Sequence, residues 1–297
     1  MKSAALILLA LAIDCFGQTG QRPREVNTQP GPRTVTIVSE PKAIVWIDEI
    51  RRGTTDTTGR LSQLKIGAGR HTVRVRAGGF KEASLPITTG GEINVRLVRT
   101  TDNAELLFQQ AETARESARD DPGRQNAADL YRQTLKARSA FPSAHVGLAR
   151  VLLSLNDTEG ALAEIEKARY TRPSYPEASA VEGRIYREGG QFDEAIGAFN
   201  RAIRESRGFQ PEAHVGIAVV YEDKGQYEMA AREFKIAIDQ LADTEPIIYQ
   251  MLGAAYEKIG NGPEAIAAYE NYLRLAPNGS QATAVRSIIE QLKSERP

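Results

Sequence analysis

An alanine followed four residues later by a large side chain recurs at a nearly fixed spacing through the later part of the chain. The pairs are Ala127 with Tyr131, Ala161 with Ile165, Ala195 with Phe199, Ala230 with Phe234 and Ala265 with Tyr269. The alanines step by 34, 34, 35 and 35 residues. A period of that size builds a stack of similar units, each packed only on its neighbours, instead of one globular core. The stack's seam is thereby defined, and its functional face must lie elsewhere on the same units.

Charge divides the chain in two. The formal net charge is zero, yet residues 1–101 hold 15 Lys/Arg against 8 Asp/Glu, and residues 102–297 hold 23 against 30. The opposite balances fit two modules with separate surfaces. No dense basic run or basic face interleaved with aromatics occurs, which argues against nucleic-acid binding. The one cysteine, Cys15, lies in an apolar leader. If that leader is removed, no thiol remains for a disulfide, a Cys-ligated metal or a Cys nucleophile.

Residues 1–17 read as a signal peptide. Lys2 supplies the positive start, and Ala4 to Ile13 is an unbroken apolar run, too short to span a bilayer but suited to a signal core. Cys15 and Gly17 put small residues before a cut between Gly17 and Gln18. Lipidation of Cys15 is disfavoured, because Asp14 occupies the position where a lipoprotein signal has a small neutral residue. Residues 18–33 are Pro- and Gly-containing without apolar periodicity and read as a flexible linker. The mature chain is expected to have no transmembrane helix and to be exported, to the periplasm or cell envelope.

Residues 34–99 alternate as strands. Thr34 to Ser39 and Ala43 to Asp48 are β-branched runs broken by Pro41, and the second is apolar on both faces. Arg52-Gly53, Thr58-Gly59 and Gly78-Gly79 read as turns. His71 to Arg76 alternates cleanly, and Ile93 to Val98 closes the module. Five to seven short strands in about 65 residues make a small antiparallel sandwich or barrel. The pattern resembles the PEGA domain through Val38-Ser39-Glu40-Pro41, Ala43, Val45, Ile47-Asp48, Gly53-Thr54-Thr55, Gly69, His71, Val73, Val75 and Gly79-Phe80. It departs at Pro41-Lys42-Ala43, one residue short of the naming motif, and at Glu49, where that family has Gly. The resemblance implies a non-catalytic extracytoplasmic module. His71 shows no partner carboxylate or second His at metal spacing and is assigned to structure. Trp46, the chain's one tryptophan, is assigned to the core and not to sugar stacking.

From Asp102 onward, Ala-, Glu-, Leu- and Arg-rich segments follow a helical period. The expected helix pairs are 102–119 with 125–139, 143–155 with 159–170, 176–188 with 192–206, 211–224 with 228–240 and 246–259 with 262–275, with a capping helix at 280–294. Gly189-Gly190, Gly225 and Gly260 mark helix stops. Pro142, Pro173, Pro176, Pro211 and Pro277 fall between pairs, and Pro263 in a first turn. Asp120-Asp121-Pro122-Gly123 reads as a lengthened loop in the first pair. The segment resembles the tetratricopeptide repeat through Ala149 with Leu152, Gly183 with Tyr186, Ala218 with Tyr221 and Gly253 with Tyr256, together with the second-helix alanines and Ala168, Ala202 and Ala237. The fold expected is multidomain: an antiparallel β-sandwich and an all-α solenoid of about five helix pairs.

The resemblance implies that the concave face, lined by the first helix of each pair, binds a protein or peptide. The positions it assigns there are Val146, Arg150, Leu153, Arg184, Arg187, Val215, Val219, Glu222, Gln250 and Glu257. Arg150 and Arg184 stand at equivalent places in adjacent repeats and suit a carboxylate or acidic peptide. The Asn of the family's chaperone-tail clamp is absent, which argues against a chaperone-tail receptor. His145 and His214 are two repeats apart, roughly 20 Å at about 10 Å per packed helix layer, too far to share a metal. Neither metallohydrolase, nucleophile-elbow nor phosphate-loop motifs occur. No enzyme activity, cofactor or metal is expected. The function expected is an exported scaffold, the alternative being an envelope glycan-binding protein acting through the β-module.

Overall fold

The computed structural model describes residues 33–294 except 49, 68–70 and 242–243. The leader, Cys15 and almost all of the linker lie outside the described residues. The β-module contains β1 (Arg33–Val38), β2 (Ile44–Ile47), β3 (Ile50–Thr54), β4 (Arg60–Ile66), β5 (His71–Arg76), β6 (Phe80–Lys81), β7 (Ala83–Ile87), β8 (Gly91–Asn94) and β9 (Val98–Arg99). Three sheets form, with strand orders β4-β1-β8, β3-β2-β5-β7 and β6-β9. Val35 and Ile37 of β1 meet Val45, Ile47, Val73 and Val75 of β2 and β5 in a buried core, the outcome of period-two alternation on each strand. Two details depart from the sequence reading. Arg52-Gly53 is not a turn but part of β3, bulged against β2 between Val45 and Trp46. The bulge carries Gly53 at φ 143°, open to glycine alone. The run Ile93 to Val98 is also split, with β8 ending at Asn94 and β9 starting at Val98; β8 pairs with β1 in parallel, while the other pairings are antiparallel.

Eleven helices follow among the described residues: α1 (Asn103–Ser117), α2 (Asp121–Ala137), α3 (Pro142–Ser154), α4 (Thr158–Thr171), α5 (Pro176–Glu188), α6 (Phe192–Glu205), α7 (Pro211–Asp223), α8 (Tyr227–Gln240), α9 (Pro246–Ile259), α10 (Gly262–Leu275) and α11 (Ala282–Ser294). Pro142, Pro176 and Pro211 each open the first helix of a pair, because the first helical residue has no intrahelical use for its N–H. The segment read as a lengthened loop is in fact the start of α2, with Asp120 accepting from Gly123 N at 2.9 Å. Among the helix stops, Gly190, Gly225 and Gly260 are left-handed, and Asn156 takes the same conformation at φ 62° where α3 ends.

The repeating alanines and aromatics form the seam between helices. Tyr131, Phe199, Phe234 and Tyr269 are buried, each at the second helix of its pair. For Tyr131, Phe199 and Tyr269 the space exists because a facing helix carries glycine. A Cβ on Gly147 would stand 2.4 Å from the Tyr131 ring, and one on Gly216 2.4 Å from the Phe199 ring. The α11 residues Val285 and Ile289 cover Ala265, Tyr269 and Tyr272 of the last pair, so the stack's end is closed.

Candidate functional site

The two modules are in contact, the β-module lying against α1, the α7–α9 cluster and the loops before α7 and α9. Their junction is pinned: Thr100 N donates to Gly79 O at 2.9 Å, and Asp102 caps α1 by accepting from Ala104 N at 3.0 Å. Gln109 of α1 clasps the β-turn beside it, accepting from Gly79 N at 3.0 Å and donating to Phe80 O at 2.6 Å. Arg76 of β5 donates to Glu112 of α1 at 3.0 Å, and Arg51 of β3 to Glu116 at 3.1 Å. At the far end Arg52 donates to Thr244 Oγ1 at 2.9 Å and pairs with Glu245 at 3.4 Å, beside the start of α9. Ile50 packs with Val215 and Val219 against the α7–α9 cluster. His71 meets the Phe209 ring edge-on at 5.1 Å, in the loop before α7.

Between the modules a cavity of about 1860 Å³ remains. The β-module wall carries Arg33, Trp46, Arg74, Arg76 and Glu82. The array wall carries Glu112, Arg115, Arg150, Glu177, Arg184 and Glu212. In all, nine arginines and no lysine line it, against five carboxylates, so the lining is positive. Trp46 is buried as expected, but not in the β-module's apolar core. Its ring faces the cavity wall, with the Arg74 guanidinium 4.2 Å and that of Arg76 5.0 Å from its centre.

Most of these charges are satisfied within the protein. Glu112 receives Arg76 at 3.0 Å, Arg115 at 3.2 Å and the Tyr131 hydroxyl. Burial alone would push its carboxyl up, but the two guanidiniums and the hydroxyl outweigh it and hold it at about 2. Arg150 donates to Glu177 at 2.6 Å. Burial raises the Glu177 carboxyl, and Arg150, Arg74 and the Tyr175 hydroxyl reverse that and lower it. The Arg172 guanidinium carbon lies over the Tyr175 ring, 4.3 Å from its centre.

The residues assigned to the groove divide into three groups. Arg150 and Arg184 line the cavity, but only Arg184 is exposed and without an ion-pair partner among the described residues. Arg187 pairs with Asp223 at 2.7 Å, Glu222 is half-buried beside them, Val215 and Val219 are half-buried against the same cluster as Ile50, and Glu257 accepts from the Tyr269 hydroxyl. Gln250 is half-buried, and its Oε1 has no partner among the described residues. Val146 and Leu153 do not reach the groove. Both are buried in the helix core, and the α3 residues on the cavity are Ser143, Arg150, Val151 and Ser154. One residue along a helix turns the side chain by about 100°, enough to exchange groove for core. His71 does have a carboxylate beside it: its Nδ1 is 2.6 Å from Asp48 Oδ2, and its Nε2 is 3.1 Å from Gly67 O. The histidines of the array are paired separately, His145 with Glu164 at 2.6 Å and His214 with Glu233 at 2.7 Å.

A stack of paired helices with small-for-aromatic packing at a 34–35-residue period defines a helical-repeat protein, and comparison with known families places it. Tetratricopeptide-repeat models match residues 124–185, 181–246 and 247–278, so the chain belongs to the tetratricopeptide-repeat proteins. No curated protein sequence matches it. Among solved structures, a thermophilic TPR protein of Thermus thermophilus is similar at 22% identity, TM-score 0.52, covering 64% of this chain and 99% of that one. The pilF protein of Pseudomonas aeruginosa is similar at 14% identity, TM-score 0.55, covering 65% and 85%. PilW, described as a type IV pilus biogenesis factor, is similar at 13% identity, TM-score 0.54, covering 66% and 93%. At these identities the likeness is one of fold.

Proposed function

We propose that the protein is a non-enzymatic scaffold, exported through its apolar leader, that holds a protein or peptide partner in the groove of its repeat array beside a PEGA-like module. Tetratricopeptide arrays serve protein–protein interaction, which supports the class of activity. The observation that carries the reading for this chain is the open cavity between β5 and the first helices, with Arg184 on its wall free of any ion pair among the described residues. The glycan alternative is less well supported, because a sugar stacking on Trp46 competes with guanidiniums already held 4.2 and 5.0 Å from the ring centre.

The test is cross-linking of the full chain in an envelope extract, with peptide-level mapping. Cross-links from one protein to α3, α5 and α7 support the reading. Cross-links confined to the second helices α4, α6 and α8, or recovery of cell-wall glycan with no protein, overturn it. Export is checked separately by the mature N-terminal residue, expected at Gln18.

A further inference from the structure

We infer that the cavity between the modules takes an extended acidic peptide, recognised by arginine side chains that the protein leaves without carboxylates of their own. The inference rests on the scaffold reading and names the chemistry of its partner. Three exposed arginines carry it. Arg172, Arg184 and Arg207 line the cavity. None has an ion-pair partner among the described residues, whereas Arg74, Arg76, Arg115 and Arg150 are all paired with Glu.

The kind of anion follows from how the guanidiniums are presented. Arg172 lies over Tyr175 at 4.3 Å, as Arg74 and Arg76 lie over Trp46. A guanidinium laid on a ring keeps its N–H edge in plane and open to a carboxylate fork. The same stacking competes with a sugar ring for the aromatic surface of Trp46 and Tyr175. The cavity's five carboxylates, Asp48, Glu82, Glu112, Glu177 and Glu212, repel a dianionic phosphate more than singly charged side chains. A volume near 1860 Å³ is about twice that of a pocket for a drug-sized molecule, which spans ~300–1,000 Å³, and suits a run of residues. The chain's own leading segment does not complement the site: residues 18–32 carry Arg22 and Arg24 against Glu25 alone.

The single tryptophan lines this cavity and reports on it. The full chain is titrated with a synthetic peptide of repeating Glu-Ala-Asp-Leu while Trp46 emission is read. A parallel arm uses repeating Lys-Ala-Arg-Leu, and another uses heparin. The expected result is a saturable emission change with the acidic peptide alone, weakened by salt. Arg184→Glu with Arg207→Glu should weaken it at least about tenfold, as loss of charge-assisted bonds would, with an unchanged melting temperature. Arg184→Lys with Arg207→Lys should give an intermediate loss, since the charge stays and the fork goes. No saturable response, equal affinity in the Glu variant, or tighter binding of heparin overturns the inference. Self-association that the acidic peptide does not displace also overturns it, since a second copy would then be the occupant. A partner cross-linked to the groove with undiminished affinity in the Glu variant leaves the scaffold reading standing and this one fallen.

Discussion

Arg76 on β5 and Glu112 on α1 form a 3.0 Å ion pair with both side chains at or below a tenth exposed. The pair joins a strand of one module to the first helix of the other, and Arg115 and Tyr131 complete the carboxylate's shell. A buried pair of this kind contributes little relative to apolar residues but is costly to break from one side.

Glu112→Gln is therefore expected to destabilise the protein by about 3–5 kcal/mol, measured as the urea midpoint at neutral pH. The pair also sets a pH dependence. The Glu112 carboxyl is held at about 2 against a usual 4.5. A depressed carboxyl stabilises the fold fully above its unfolded value, and the contribution fades as pH falls from 4.5 towards 2, in total about 3 kcal/mol. The drop in midpoint across that window should be smaller in Glu112→Gln than in the parent. Equal drops would assign the acid sensitivity to other carboxylates.

Two glycine substitutions should have opposite signs. Gly216→Ala places a methyl 2.4 Å from the Phe199 ring. The overpacking, about 1–3 kcal/mol, exceeds the ~1 kcal/mol that alanine gains in a helix, so stability falls. Gly197 in α6 has nothing within 4 Å of its added Cβ, and Gly197→Ala should raise stability by about 0.5–1 kcal/mol. Thermal melting of both variants checks the contrast, and a stabilised Gly216→Ala would refute the seam's close packing.

Docking of the β-module should be cooperative. Arg52 holds it at Thr244 and Glu245, and Arg76 holds it at Glu112. With either clasp removed the other still aligns the surfaces. Arg52→Ala and Arg76→Ala together are expected to cost more than their separate effects combined, by about 0.5–3 kcal/mol. Trp46, covered by Arg76 in the docked state, should shift its emission to longer wavelength chiefly in the double variant. Strict additivity would show that the two ends dock independently.

The helix pairs were legible because their signals are local. Ala195 and Phe199, or Gly183 and Tyr186, lie within one or two turns of each other, and the periodicity repeats the message five times. Groove and core on α3 were not separable in this way. Val146 and Arg150 each stand beside a small residue of the seam, Gly147 or Ala149, and only the angle at which α2 and α4 pack decides which is covered. The Asp48–His71 pair left a faint signal: an antiparallel pairing of β2 with β5 brings the end of one beside the start of the other, and Asp48 N does donate to Thr72 O at 2.9 Å. The seating of the β-module left none. Arg52 reaches a residue 193 positions later, through a long flexible side chain whose direction no local pattern encodes.

That long-range contact has a consequence for how such a chain can change. A free solenoid can gain or lose a unit anywhere along its length, because each unit answers only to its neighbours. Here β3 touches Glu116 in α1 and, one residue on, Glu245 at the start of α9. The module acts as a gauge laid across the arc. Inserting or deleting one helix pair between α1 and α9 would carry those two glutamates to a separation that adjacent side chains cannot span. The number of repeats between them is thereby fixed by the span of a single strand.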